Sequence, residues 1–220
     1  MHRDPSVASS SFLQGEDWLA FNMIQTCVDY DRIVEAVAAD YARSPAKPVV
    51  MAEGGYEGLE FGRLQESLQI RQQAFRTQLA GGHHVYGHND AWQAPREWER
   101  WLDSPGARDL KVFREIVTAL PGWEDLVPDQ SLLISDAGRG PGLDAAARSA
   151  EGRWAVGCLG APGTAAPRAD ALGPGRGGQA VWIRPATGER LPAGEIAPGE
   201  APSRATPAGW DDALFLLEAV

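Results

Sequence analysis

Residues 48–58 read PVVMAEGGYEG, a short apolar run that ends in a carboxylate followed by a glycine pair. Such a run is typical of a strand buried on both faces, as in a parallel sheet. The glycines allow the backbone to turn sharply or to approach a ligand. Because α/β barrels keep catalytic groups where a buried strand meets its loop, Glu53 is the first candidate functional residue. The alternative is an acidic residue that only starts a solvated loop.

Apolar runs alternate with helical periodicity on both sides of this stretch. Strands are predicted at Trp18–Gln25, Val49–Ala52 and His84–Gly87. Helices are predicted around Ile33–Tyr41, Gly62–Ala80 and Ala107–Leu120. The order β-α-β-α-β-α predicts a parallel sheet with right-handed crossovers.

The pattern changes after Pro121, where helical periodicity stops and glycine and proline become frequent. Short strands are predicted at Leu132–Ser135, Arg153–Leu159, Ala180–Arg184 and Ala213–Glu218. Short strands separated by Gly/Pro turns are typical of a small antiparallel β-sandwich. The sequence therefore predicts an α/β domain at residues 1–128 and an all-β domain at residues 129–220.

Charge and composition exclude several classes of partner. The net charge of −10 argues against nucleic-acid binding and against an anionic membrane surface. No apolar run reaches the roughly 18 residues that span a bilayer. Cys27 and Cys158 are far apart in the sequence and are expected to be free thiols rather than a disulfide or a metal site. The eight tryptophans suit stacking on sugar rings as well as core packing.

Several motifs together resemble one known family. They are Trp18–Gln25, Lys47–Val50 with Glu53, Tyr56 and Glu57, Gly82–Gly87 with Trp92, Trp182–Gly188 and Trp210–Glu218. The chain resembles the apiosidase-type family of glycoside-hydrolase-like (β/α)8 barrels, in which a small β domain labelled collagen-binding follows the barrel. The sequence departs from the family pattern at Ala52 and Gly54, where the family has glycine and proline.

The resemblance implies that residues 1–128 are strands six to eight of an incomplete (β/α)8 barrel and that residues 129–220 are the collagen-binding-type sandwich. Nothing in the sequence corresponds to strands one to five. Three βα units form either a small open α/β layer or part of a longer barrel. We expect the second, with a missing preceding segment, which the DNA upstream of Met1 would reveal, or a second chain that completes the barrel.

The resemblance also implies roles for individual residues. Glu53 corresponds to the nucleophile-like glutamate after strand seven, and the acid/base would come from strand four, which is absent. Glu57 could replace that acid/base only if its loop folds back; otherwise it hydrogen-bonds within the loop. The candidate substrate-binding residues are Tyr56, Glu57, His84, Tyr86, Asn89, Asp90 and Trp92, and for the loop residues among them the alternative is loop packing.

Neither a metal nor a cofactor is expected. His84 and His88 have the i, i+4 spacing of a helical metal pair, but Tyr86 and Gly87 between them favour a strand and a turn. His84 at a strand end is better suited to bind a substrate hydroxyl or to orient Glu53.

Two hypotheses for function follow. In the first, the chain belongs to an enzyme that hydrolyses O-glycosidic bonds in plant or microbial polysaccharide, and it is weak or inactive alone because a lone carboxylate lacks its acid/base partner. In the second, it is a non-enzymatic carbohydrate- or matrix-binding protein that acts through its C-terminal β domain. Trp154, Trp182 and Trp210 exposed on one surface would favour the second, and their burial would favour the first.

Overall fold

The structure is a computed structural model that describes residues 8–132, 138–166 and 168–220. The chain divides into two compact units, Met1–Lys111 and Val112–Val220. The division falls within a helix, ahead of the boundary predicted at residues 128/129. A Cβ added to Gly188 would stand 3.6 Å from Val112 Cγ1, so Val112 of that helix lies close to Gly188 of the C-terminal unit. The boundary at 128/129 stays a prediction.

The N-terminal unit alternates strands and helices. Its elements are α1 (Ser10–Leu13), β1 (Asn22–Cys27), α2 (Asp31–Tyr41), β2 (Val49–Gly54), β3 (Glu60–Phe61), β4 (Arg63–Leu64), α3 (Ser67–Leu79), β5 (His83–His84) and the first half of α4 (Pro105–Thr118), the helix in which the division falls. Strands β1, β2 and β5 form a parallel sheet in that order. The predicted alternation and the parallel sheet are confirmed.

Only one face of this parallel sheet is covered by a well-packed core. On that face Ile24 and Met51 pack with Ile33 and Val37 of α2, and all four side chains are buried. On the other face the register partners Met23, Val50 and His83 lie side by side. Met23 is 37% exposed and Val85, just beyond β5, is 47% exposed. One face of the sheet therefore remains largely open within the described residues.

The helix predicted at Gly62–Ala80 begins later than expected. A short hairpin of β3 and β4 occupies its first residues and turns at Gly62, which has a left-handed φ of 71°. Glu66 and Gln69 then form a reciprocal capping box that starts α3. Leu64, which falls within the range predicted as helix, lies on β4 instead and is 50% exposed.

The C-terminal unit is built from an antiparallel sheet. Its strands are β6 (Leu126–Pro128), β7 (Ala145–Ser149), β8 (Trp154–Leu159), β9 (Thr164–Ala165), β10 (Gly178–Ile183), β11 (Arg190–Ile196), β12 (Arg204–Ala205) and β13 (Ala213–Ala219). Six of them form one sheet in the order β11-β10-β13-β8-β7-β6, and β9 pairs with β12. The strand predicted at Leu132–Ser135 lies largely outside the described residues, and Leu132 ends a 3-10 turn.

One core cluster of this unit lies on a single face of the six-stranded sheet. Trp182 and Phe215 meet edge to face with centroids 4.7 Å apart, and Leu172 of a 3-10 turn packs into the same cluster. The predicted sandwich is not confirmed, because the only other strands described in this unit are the two-residue strands β9 and β12.

Within the part of the chain that the structure describes, no helix has the length and apolar character needed to cross a membrane.

Candidate functional site

Glu53 lies at the carboxyl end of β2, beside the carboxyl end of β1. Its register partner on β1 is Gln25, and Gln25 Nε2 donates a hydrogen bond to Glu53 Oε2. The carboxyl ends of parallel strands meet at one edge of a sheet, which is where ligands bind in α/β folds. Glu53 therefore occupies the position that the sequence predicted, and Gln25 is a neighbour that the sequence analysis missed.

Tyr56 faces Glu53 from the loop after β2. Burial raises the pKa of Tyr56, and the charges of Glu53 and Cys27 and a hydrogen bond with Glu53 raise it further. Its ring lies against Gly87, where an added Cβ would stand 2.4 Å from Tyr56 Cδ1. Only glycine at position 87 leaves room for this ring. Tyr56 is thus a neutral phenol held beside a carboxylate.

Cys27 ends β1 next to the same group. It is an exposed free thiol with a left-handed φ of 50°, which is unusual for a residue with a side chain. Burial of part of the side chain raises the pKa of the Cys27 thiol, and the charge of Glu53 raises it further. Cys27 was predicted from the sequence only as a free thiol, and its position near Glu53 was not predicted.

The backbone that follows Glu53 is held by a side chain of α3. Gln73 Oε1 accepts a hydrogen bond from the Gly55 backbone N–H at 2.8 Å, and the Gln73 side chain is fully buried. A Cβ at Gly54 would stand 2.2 Å from Gln73 Oε1, so this approach requires glycine at position 54. Position 54, where the resembled family has proline, is a glycine in this chain. The absence of a side chain there leaves room for Gln73 of α3.

Glu57 is buried and its carboxylate is fully engaged. Oε2 accepts hydrogen bonds from Tyr86 Oη at 2.5 Å and Ser104 Oγ at 2.7 Å, and Oε1 accepts one from the Gly106 backbone N–H at 2.8 Å. Gly106 is in the first turn of α4, where a carboxylate is favourable. Burial and the bond to Glu57 raise the pKa of Tyr86. This geometry gives both residues a structural role, and their role in substrate binding stays a prediction.

His84 lies beside Gly54. A Cβ added to Gly54 would stand 3.3 Å from His84 Cε1. Burial lowers the pKa of His84 to about 4, so the ring is neutral near pH 7. Its Nδ1 is buried and has no hydrogen-bond partner among the described residues. The described contacts include no hydrogen bond from His84 to Glu53, so the suggestion that it orients Glu53 gains no support.

The remaining predicted residues lie in the turn after β5. The Asn89 backbone N–H donates to the Glu57 carbonyl at 2.8 Å, which joins this turn to the loop after β2. Asn89 Nδ2 lies 3.4 Å from Asp90 Oδ1, and Trp92 is 61% exposed. Their side chains are accessible, and their role in substrate binding stays a prediction.

In the described ranges no group of three His, Cys, Asp or Glu side chains could hold a metal ion.

The three tryptophans that would favour a binding surface in the C-terminal unit are buried. Trp154, Trp182 and Trp210 are exposed by only 1%, 4% and 6%. Trp154 Nε1 also donates to the Pro121 carbonyl at 3.0 Å. These side chains stabilise the core, so they offer no aromatic platform to a ligand.

The fold of this chain is shared with solved structures. A glycoside hydrolase family 5 protein from Bacteroides vulgatus ATCC 8482 matches with a TM-score of 0.85 and 21% identity, over 97% of this chain and 53% of that chain. A protein described as a glycoside hydrolase matches with a TM-score of 0.84 and 21% identity, over 96% of this chain and 55% of that chain. The chain shares this mixed α/β fold and spans about half the length of both.

The family follows from the sequence of residues 1–124. The family described as "Apiosidase-like, catalytic domain" matches residues 1–124, which is more than half of the 220-residue chain. The chain therefore belongs to the apiosidase-like catalytic domain family. A comparison with curated proteins gave no match.

Proposed function

We propose that this chain is part of a glycoside hydrolase in which the Glu53 carboxylate acts at the anomeric carbon, either by attacking it or by activating water. The observation that carries the proposal is the position of Glu53 at the carboxyl edge of the parallel sheet, held by Gln25 and facing Tyr56. Membership of the apiosidase-like family supports a glycosidase-like reaction. The substrate we propose is a plant or microbial polysaccharide.

Glycoside hydrolysis needs a second carboxyl group to protonate the leaving oxygen. Glu57 is the nearest acidic residue in the sequence, but its oxygens are taken by Ser104, Tyr86 and the Gly106 N–H. We propose that the acid/base comes from strands that are not part of this chain, as the family resemblance implies. The chain alone should therefore be weak with substrates whose leaving group needs a proton.

The open face of the parallel sheet supports a barrel that extends beyond β1, β2 and β5. Parallel sheets are normally covered on both faces, whereas Met23 and Val85 are well exposed. The matched structures are about twice as long as this chain. We propose that a preceding segment or a second chain supplies the remaining strands of a (β/α)8 barrel.

Within this proposal Tyr56, Asn89, Asp90 and Trp92 contact the sugar, while Glu57 and Tyr86 hold the loop that presents them. The alternative function, binding of carbohydrate or matrix protein through the C-terminal unit, is disfavoured by the burial of Trp154, Trp182 and Trp210.

The test uses 2,4-dinitrophenyl glycosides, because their leaving group departs without a proton and bypasses the missing acid. We expect the chain to release dinitrophenolate faster than buffer with at least one pentoside or hexoside of a panel. Glu53→Gln should abolish this release, and the matched control Glu195→Gln, at an exposed residue, should not. Release that survives Glu53→Gln would refute the role of Glu53.

A further inference from the structure

The strands β1 and β2 lose their regular register next to Glu53. Ile24 pairs with Met51, but the next residue, Gln25, pairs with Glu53, so Ala52 is skipped. An extra residue on one strand is a β-bulge, and bulges re-aim side chains near functional sites. The irregularity therefore decides which way the Glu53 side chain points.

Side chains alternate between the two faces of a strand. In an unbroken ladder Gln25 would lie beside Ala52, and Glu53 would share the helix-covered face with Met51. The skipped residue instead places Glu53 beside Gln25, on the face that also carries Met23. Gln25 Nε2 then reaches Glu53 Oε2 directly.

We propose that Gln25 is a positioning residue that fixes the carboxylate of Glu53 through its side-chain amide. This inference rests on the proposed function of Glu53 and deepens it. An amide is neutral at every working pH, so it can orient a carboxylate without competing for the reacting proton. A donor on one oxygen also fixes the plane of the carboxyl group, which sets the direction from which it meets a sugar.

Three features suit Gln25 to this task. It is partly buried, so water competes only partly for the bond. It sits on a strand rather than on a loop, which makes its position precise. Its neighbour at the strand end, Cys27, carries no hydrogen bond to Glu53 among those that the structure describes, so the amide is the donor that β1 contributes.

The first measurement is the NMR signal of the Gln25 side-chain amide in the ¹⁵N-labelled 220-residue chain, assigned by its loss in Gln25→Met. We expect this signal to be displaced from those of exposed glutamines and to return towards them in Glu53→Gln, but not in Glu195→Gln. The inference would be overturned if the Gln25 amide signal coincides with the signals of exposed glutamines and does not shift in Glu53→Gln.

The second measurement is dinitrophenolate release by Gln25→Met, which keeps the length of the side chain but removes the donor. We expect a fall of about ten-fold or more in rate at saturating glycoside with little change in KM, because the variant loses a hydrogen bond to a charged group. Gln179→Met, the same change at an exposed strand position, should leave the rate unchanged. An unaltered rate in Gln25→Met, with the amide signal displaced, would show a bond without a positioning role.

Failure of the two proposals can be told apart. If the wild-type chain releases no dinitrophenolate, the proposed function fails in this chain, and the amide signal alone decides whether Gln25 holds Glu53.

Discussion

The two main sheets of this chain differ in how far they complete their own cores. The six-stranded sheet of the C-terminal unit has a central strand, β13, whose residues Ala213–Leu217 are all buried, so neither face of that strand is open. The parallel sheet of the N-terminal unit packs Ile24 and Met51 under α2 but leaves Met23 and Val85 exposed. The comparison teaches that the C-terminal sheet is self-sufficient at its centre, whereas the parallel sheet leaves one face open and carries the proposed site at its carboxyl edge.

The largest expected effect is in the self-sufficient core. Phe215→Ala should lower the free energy of unfolding by about 3–5 kcal/mol, because Phe215 is 2% exposed and packs edge to face on Trp182. Urea unfolding followed by near-UV circular dichroism measures this. Leu191→Ala, at a half-exposed position of β11, is the control and should change little. A loss below about 1 kcal/mol for Phe215→Ala would contradict a well-packed C-terminal core.

The next effect concerns His84 in the N-terminal unit. Its folded pKa of about 4 lies below the ordinary histidine value of 6.5, so below pH 6.5 the unfolded chain takes up a proton that the folded chain does not. Stability should therefore fall as the pH drops from 6.5 towards 4, by at most about 1.4 kcal/mol per pH unit, and this contribution should level off below pH 4. Urea unfolding at several pH values measures it.

The matched variant is His84→Phe, which cannot titrate. The stability of the wild type relative to this variant should decline over the same pH window. A difference that stays constant from pH 7 to pH 4 would show that His84 is not buried as a neutral ring.

A comparable effect is expected where Glu57 holds the start of α4. Glu57→Gln removes the charge that accepts three hydrogen bonds, and the new N–H₂ group meets either the Gly106 N–H or two hydroxyls that must turn to accept. This loss costs about 1–3 kcal/mol. Thermal unfolding compares it with Glu60→Gln, the same change at an exposed residue. Equal melting temperatures for the two variants would contradict the structural role of Glu57 and favour its predicted role in substrate binding.

The smallest expected effect is on the open face. Met23→Gln should change the stability of the chain by no more than about 0.5 kcal/mol, because Met23 is 37% exposed on β1. Urea unfolding measures this as well. A loss above about 2 kcal/mol would mean that the face is already packed within the chain, and the contrast between the two sheets would disappear.

The sequence predicted the parallel sheet and the place of Glu53 because both depend on local pattern. An apolar run followed by a carboxylate and glycines marks the end of a buried strand, and Val49–Gly54 is that strand. Motif resemblance also marked Tyr56. These features need only neighbouring residues to be recognised.

The parts that could not be predicted depend on contacts between distant segments. Gln25 reaches Glu53 because the register slips by one residue, and no spacing in the sequence records a bulge. Glu57 is sequestered by Ser104 and Gly106, which are 47 and 49 positions away. A polar residue at the end of the apolar run Trp18–Gln25 was the one signal that could have drawn attention to Gln25.

The central claim, that the carboxylate of Glu53 acts on a glycoside, is tested most directly by chemical rescue. Glu53→Gly removes the carboxylate and leaves space for a small external nucleophile. With a dinitrophenyl glycoside that the wild type cleaves, we predict that this variant is inactive in buffer and that added azide restores dinitrophenolate release with formation of a glycosyl azide. Full release by Glu53→Gly without azide, or no glycosyl azide when azide is added, would contradict the account.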